Sequence, residues 1–456
     1  MILKSLHREK TISPYTNSYL VIRSIGNILG AGLFCGLSLI YYSNGINLLF
    51  LSVLTGGVAI IVTLFLIEMN LVGPEGWNYT HIMADIYGSL AWQFSVSAYV
   101  GAMVIGPASE IIAAGIILCK IFKNLPLFLA CFLISILVFG INFMFKKHEF
   151  FDYYISFFKI LALLTFCCIG LFSICHLFPG IFYSIEVPWP LTVEAFSKGS
   201  FLTSLGAMHG TIMTYGGIES VGFLLHKKIK NDHRRVAIET FKIAFRSVVI
   251  NLLPVPIILV IMSMGAAADS QNIFMCTLKL IGCSPILICT FQFIIFISAI
   301  SLALINASPT TKMLSLQMQI VSDFSHIKEK PLQNTDITIQ SINKFRYGVT
   351  LLGILQTIWL GEKAYAYMFF FSGLCFSVMW GMIALSCSKF CDKYGDGNEW
   401  RVPGESLLRI FVLVILSAGF LISLATRTGK IVLIIGIVWF LSSFLWCEKQ
   451  FNILKK

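Results

Sequence analysis

The chain has 456 residues, 57% of them hydrophobic and only 12% charged, with a mean hydropathy of +0.84. Soluble domains carry about 25% charged residues, so this composition excludes a water-soluble enzyme, a disordered chain and a disulfide-stapled secreted scaffold. A net charge of +11 would suit a nucleic-acid partner, but the positions of the charges remove that reading.

Apolar runs predict twelve spans, near 18–42, 46–67, 88–118, 126–145, 152–178, 201–226, 241–265, 285–313, 345–361, 365–387, 406–425 and 430–447. Each can house a membrane-crossing helix of roughly 20 residues. With the N-terminus in the cytoplasm, 25 of the 33 Lys and Arg fall at cytoplasmic ends or loops. That is the positive-inside asymmetry, and it places both termini in the cytoplasm. The first ten residues are too polar for a cleaved leader, so the first apolar segment reads as retained. Two polar stretches, Val321 to Arg346 and Ser388 to Glu405, read as solvated connections. The thirteen cysteines lie mostly in apolar runs without paired metal-ligand spacing. Cys276 and Cys283 share an outside loop and could form a disulfide, but without framework spacing free thiols are the favoured reading. Asn78-Tyr79-Thr80 matches a glycosylation sequon that the topology leaves inert on the cytoplasmic side.

Two spans carry glycine clusters. Span one holds Gly26, Gly30, Gly32 and Gly36, and span six holds Gly216-Gly217 just before Glu219. Each glycine costs up to about 1 kcal/mol of helix propensity relative to alanine, and irregular backbone at membrane depth survives only where protein packs it or a cavity adjoins it. Such clusters five spans apart, in matching positions of two five-helix halves, predict an inverted-repeat transporter with its site at the midplane. The plainer reading, close helix packing on small residues, suits one cluster better than two.

These residues resemble the amino acid–polyamine–organocation superfamily of permeases. The run Gly26-Asn-Ile-Leu-Gly-Ala-Gly-Leu-Phe34 resembles the family's G-x-I-[IL]-G-[SA]-G-[IVL]-F signature. Thr214-Tyr-Gly-Gly-Ile-Glu-Ser220, followed by Lys230-Asn-Asp-His-Arg-Arg-Val-Ala-Ile238, resembles its span-six pattern. Weaker echoes are Gly106 to Gly115 in span three and Ser156 to Ile160 in span five. The sequence departs from the pattern at Asp232, which replaces a proline, and at Met213, which stands where the family has an aromatic gate. Near the end of span eight, Pro309 and Lys312 replace a small residue and an arginine. The basic pair between spans two and three is absent. The resemblance implies an all-α integral membrane protein of about 12 transmembrane helices, a LeuT-like 5+5 inverted repeat with broken helices 1 and 6. The chain then reads as one polytopic domain over 1–456: a cytoplasmic N-terminus (1–17), five-helix repeats at 18–178 and 201–387, two additional helices at 406–447 and a cytoplasmic tail at 448–456.

An amino acid presents a carboxylate and an ammonium. Backbone N–H groups at a half-helix terminus suit the carboxylate, and the Gly30-Ala31-Gly32 break supplies them without side chains in the way. Carbonyls of an unwound segment, at Ile28, Met213 and Gly216, suit the ammonium, with Gly217 completing the second break. Met213 and Tyr215 are the candidate gate. A carboxylate inside a span costs about 2.5–3.5 kcal/mol if charged, so Glu219 reads as a coupling or conformational-control group or as a structural hydrogen-bond anchor. Glu110 reads more readily as packing. Lys159 can snorkel to the surface; the resemblance adds that in some members a span-five lysine sits beside the first break, where sodium-coupled relatives hold a cation. His209, one turn before Met213, reads as a hydrogen-bonded packing residue before a pH-sensitive one.

The expected function is secondary active transport of amino acids by alternating access, by proton-coupled symport or exchange, with neutral substrates favoured. An amino acid/polyamine antiporter for cationic substrates is the alternative. A non-transporting sensor and a membrane-embedded enzyme are rivals of another class, but no HExxH, intramembrane His/Asp cluster or nucleotide-binding loop supports catalysis. No cofactor, metal or nucleic-acid partner is expected. The partners are a small amino acid, protons as coupling ion and the lipid bilayer. The location is the plasma membrane, the inner membrane if the cell is bacterial.

Overall fold

The computed structural model describes residues 17–30, 32–73, 79–144, 149–175, 204–219, 233–262, 272–305, 335–395 and 400–454. Ala31, Asn78, the motif from Ser220 to Asp232, and Pro309 with Lys312 lie outside the described residues. Every regular element among the described residues is helical. The first half runs α1 (Asn17–Ile28), a π-helical turn (Gly32–Gly36), α2 (Leu37–Asn44), α3 (Asn47–Val72), α4 (Tyr79–Tyr87), α5 (Ser89–Val100), a second π-helical turn (Gly101–Ile105), α6 (Gly106–Ile121), α7 (Leu127–Met144) and α8 (Glu149–Ile174). It continues with α9 (Met208–Thr214), α10 (His233–Leu252), α11 (Pro254–Met262), α12 (Ile273–Leu280), α13 (Pro285–Ile305), α14 (Thr335–Leu360), α15 (Lys363–Tyr394), α16 (Glu405–Ser423) and α17 (Arg427–Leu454).

Eight of these helical stretches are long and apolar enough to cross a membrane, and Leu127–Ile141 and Tyr347–Leu360 are shorter apolar helices. Burial sorts them into layers. Of their most apolar windows, 72% is buried for Ser89–Ile121 and for Lys363–Tyr394, but only 17% for Arg427–Leu445. So α5–α6 and α15 form the centre, and α16 and α17 flank it. Their outward Leu407, Leu421, Ile434 and Leu445 are exposed, as lipid-facing side chains must be where the surrounding solvent is hydrocarbon.

Proline shapes two of the spans. Pro107 opens α6; lacking an N–H, it cannot continue the α-type ladder, and the π-helical turn at Gly101–Ile105 precedes it. Pro254 likewise separates α10 from α11. The segment bearing Cys276 is partly helical rather than irregular. Asn272 caps α12 by accepting from the amides of Phe274 (3.1 Å) and Met275 (3.3 Å), and Phe274 is fully buried against Phe34 and Phe166. Cys276 and Cys283 are free thiols.

The stretch from Ser388, expected as solvated, is helical to Tyr394. Its apolar face explains the extension. Phe390 and Cys391 are fully buried in the cluster that contains Phe65 and Met69 of α3, while Lys393 points outward to an ion pair with Asp85 at 2.9 Å. After the helix, Val402 is buried too.

Candidate functional site

The α1 ladder fails where the glycines begin. Leu29 still donates to Ile25 (3.2 Å), but Gly30 turns its amide to Ile28 (3.1 Å) rather than to Gly26. Leu33 and Phe34 then both donate to the Gly30 carbonyl, at 3.1 and 3.0 Å, so Leu29 does not receive the amide of Leu33. Buried carbonyls need partners, and two neighbouring helices supply them. Lys159 of α8 donates from Nζ to the Gly26 carbonyl at 3.3 Å. Ser298 of α13 donates from Oγ to the Leu29 carbonyl at 3.1 Å. Lys159 is buried, so its ammonium stays at the break and does not reach the surface.

The second interruption follows the same logic. Beyond α9 the chain tightens into three-residue bonds: Tyr215 to Ile212 (3.0 Å), Gly216 to Met213 (3.1 Å) and Ile218 to Tyr215 (3.2 Å). The displaced Thr214 carbonyl accepts from Asn251 Nδ2 of α10 at 2.9 Å. The Gly217 amide donates to Glu219 Oε2 at 2.9 Å, and the Trp380 indole of α15 donates to Oε1. Glu219 is buried and joins the interruption to the central helix. Gly217 has φ +100°, a conformation that side chains disfavour.

The two interruptions meet. A Cβ on Gly217 would lie 3.0 Å from the Asn27 carbonyl, and one on Gly32 would lie 3.3 Å from the Met213 carbonyl. Gly30 faces elsewhere: its missing side chain is replaced by Leu302 of α13, with Glu110 Oε1 of α6 at 3.2 Å from the Cβ position. Above Gly106, Met213 Cε and Ser372 Oγ lie 3.6 and 3.9 Å from where a Cβ would be. Ser372 Oγ is buried without a hydrogen-bond partner. Ile28 is buried, and Met213, Gly216 and Gly217 are half-buried.

The candidate gate residues differ in surroundings. Met213 packs over Gly106, whereas the Tyr215 ring is buried and its hydroxyl donates to the Ser52 carbonyl of α3 at 2.8 Å. Tyr215→Phe should lose about 1 kcal/mol with that bond, read as a lower thermal midpoint of the solubilised protein with uptake retained. Loss of uptake at unchanged stability would assign the hydroxyl to gating. His209 faces α15 and α16: Nδ1 lies 2.9 Å from Ser377 Oγ, and the ring packs edge-on to Phe420 at 4.9 Å.

A cavity of about 440 Å³ reaches toward the first interruption. Cys35, on the π-helical turn after Gly32, lies at one part of its lining; Tyr42, Lys120, Asn272, Glu362 and Tyr365 lie at others. Sequence reasoning missed Ser298, Asn251, Trp380 and Ser372. A usable signal was available only for Asn251, an isolated amide in the otherwise apolar run from Val248 to Met262, since lone polar groups at membrane depth mark sites that need them.

No protein-family model matches the chain. Over 446 residues it is 23% identical to a gamma-aminobutyric acid permease of Bacillus subtilis, covering 95% of this chain and 92% of that protein. It is 21% identical to an uncharacterized amino acid permease of the same organism, covering 93% and 91%. In fold it is similar to a manganese transporter of Eremococcus coleocola, with a TM-score of 0.55, 14% identity and 96% coverage of both chains. A mutant of that transporter gives a TM-score of 0.56 at 13% identity. Likeness over more than nine-tenths of the chain to amino acid permeases in sequence, and to a transporter in fold, on a chain of apolar helices, supports an integral membrane transporter.

Proposed function

We propose that the chain moves amino acids across the cell membrane by alternating access, through twelve spans in a 5+5 inverted repeat whose first and sixth helices are broken at the substrate site. The observation that carries this is the contact between the two interruptions, Gly217 against Asn27 and Gly32 against Met213. Main-chain groups of both are thereby gathered at one place with no intervening side chain. The carboxylate goes to the amides of Gly30, Ala31 and Gly32, with that of Gly30 leaving the Ile28 carbonyl it serves at 3.1 Å when the ligand arrives, and the ammonium goes to the carbonyls of Ile28, Met213 and Gly216. The carbonyls of Ile28 and Met213 each already accept one amide, and each keeps a second lone pair for a ligand. Met213 closes over the side chain, and Tyr215, buried with its hydroxyl on the Ser52 carbonyl, anchors the second break behind it. Lys159 stands in for a coupling cation, and Glu219 links the second break to α15, so that protons or substrate exchange drive transport. Both termini face the cytoplasm.

Radiolabelled amino acid uptake into proteoliposomes tests the proposal, and substrate binding without uptake would make the protein a sensor. Competition across the twenty amino acids sets the substrate class. A methionine lid is flexible and an unpaired buried charge is expensive, so leucine, phenylalanine and serine should compete and arginine and lysine should not. γ-Aminobutyrate belongs in the panel because a relative is named for it. The Glu110 carboxylate beside Gly30 favours the cationic alternative. Inhibition by arginine or lysine with none by neutral amino acids would select it.

A further inference from the structure

We propose that Glu68, Cys387 and Cys391 form a binding site for one thiophilic divalent cation of the zinc type, at the opposite end of α15 from the cavity. Cys387 and Cys391 are one turn apart on α15 and therefore share a face. Glu68 reaches the same point from the last turns of α3. One ligand atom from each lies within 4.8 Å of the other two, and all three residues are buried. A tetrahedral site with metal–ligand lengths of 2.0–2.3 Å needs its donors about 3.5–3.8 Å apart. Side-chain rotation alone can close the remaining difference, and the fourth position is left to water.

The surroundings suit an ion. Arg401 Nη1 lies 3.2 Å from Glu68 Oε1 and the Val402 amide donates to Oε2 at 3.0 Å, which fixes the carboxylate as outer-shell partners fix metal ligands. Arg401 Nη2 donates to the Cys391 carbonyl at 2.8 Å, and Cys387 Sγ lies 3.7 Å from the Phe65 carbonyl. Without metal, the Arg401 guanidinium is shared between Glu68 at 3.2 Å and Asp392 at 3.6 Å. Binding forms two metal–sulfur bonds and releases two protons to solvent, so the ion's two charges meet two thiolates. Two sulfur donors select zinc or cadmium over magnesium, calcium or manganese. The Arg401 side chain, 39% exposed, covers the cluster, and its swing outward gives the ion access. Sequence spacing hid the pair because the run after 387 reads as a loop; only the helical continuation to Tyr394 puts the two sulfurs on one face.

Such an ion ties the end of α3 to the end of α15, the helix whose Trp380 holds Glu219. The test uses the purified full chain in detergent, titrated with cadmium and read by the ultraviolet thiolate-to-cadmium charge-transfer band. A component of one ion per chain is expected in the native protein. It should weaken by about 100-fold or more in Cys387→Ser and Cys391→Ser, in line with loss of a ligand rather than of an outer-shell partner. Both serine variants keep the Glu68–Arg401 pair, so they retain the fold, which an unchanged thermal midpoint without metal verifies. Zinc should raise the midpoint of the native protein and not of the double variant. Identical cadmium titrations for the native protein and the folded double variant would overturn the proposal, as would no binding by either. None of these measurements depends on which substrate is carried, so their failure leaves the transport reading untouched.

Discussion

Gly32→Val is expected to reduce uptake to background while the protein still inserts in the membrane. Gly32 starts the π-helical turn, and its absent Cβ would already sit 3.3 Å from the Met213 carbonyl and 3.7 Å from Phe369 and from the Thr214 Cα. Two further methyls have nowhere to go except between the interruptions. Overpacking of this kind costs about 1–3 kcal/mol, which a large helical bundle survives, so the membrane fraction should hold normal amounts of protein. The space lost is the space in which a ligand carboxylate would approach the main chain. Gly32→Ala, which needs the carbonyl to give by only a few tenths of an ångström, should fall between the two. The measurement is uptake normalised to the reconstituted amount. Native rates for Gly32→Val would place the site elsewhere.

The second large effect belongs to Lys159. Its ammonium is buried and bonded to a carbonyl that the α1 ladder no longer serves. Lys159→Met keeps the volume, removes the charge and leaves that carbonyl without its donor, a loss of about 1–3 kcal/mol at the break. If this group does the work of a coupling cation, native uptake should respond to an imposed pH gradient and be indifferent to exchanging sodium for potassium. In Lys159→Met the response to the gradient should disappear, and the rate should fall by about tenfold or more. A native requirement for sodium would reject this assignment and leave Lys159 as a structural donor.

How legible these features are depends on whether a residue's cost shows in one dimension. A helical membrane protein is readable from hydropathy alone, because hydrocarbon tolerates little else. The glycines at 26–36 and 216–217 stand out because helices disfavour them, and the described helices end at Ile28 and Thr214. What served the ends was not readable. Ser298 is one hydroxyl in an apolar run, and its bond to Leu29 spans 269 residues, so nothing near it in sequence announces the partner. Lys159 stands out in sequence as an intramembrane charge, for which the residue itself suggests snorkelling and the resemblance a place beside the first break; its bond to the Gly26 carbonyl argues against snorkelling, and no neighbour in sequence announces it. The stretch from Ser388 misled because its charges conceal a face bearing Phe390 and Cys391, which becomes apparent once α3 is beside it.

The clasp at the start of α12 has a mechanical consequence. Ser38 Oγ of α2 accepts the first amide of that short helix at 2.8 Å, and Asn272 and Met275 of the same segment line the 440 Å³ cavity. The pin makes α2 and the cavity wall one moving part, like a lever with its shutter attached. A tilt of α2 that widened the passage on one side of the bilayer would drag the shutter and reshape the cavity's mouth. Opening and covering would then be geared through that hydroxyl and through the Tyr42 hydroxyl of the same helix, 4.0 Å from Cys276 Sγ.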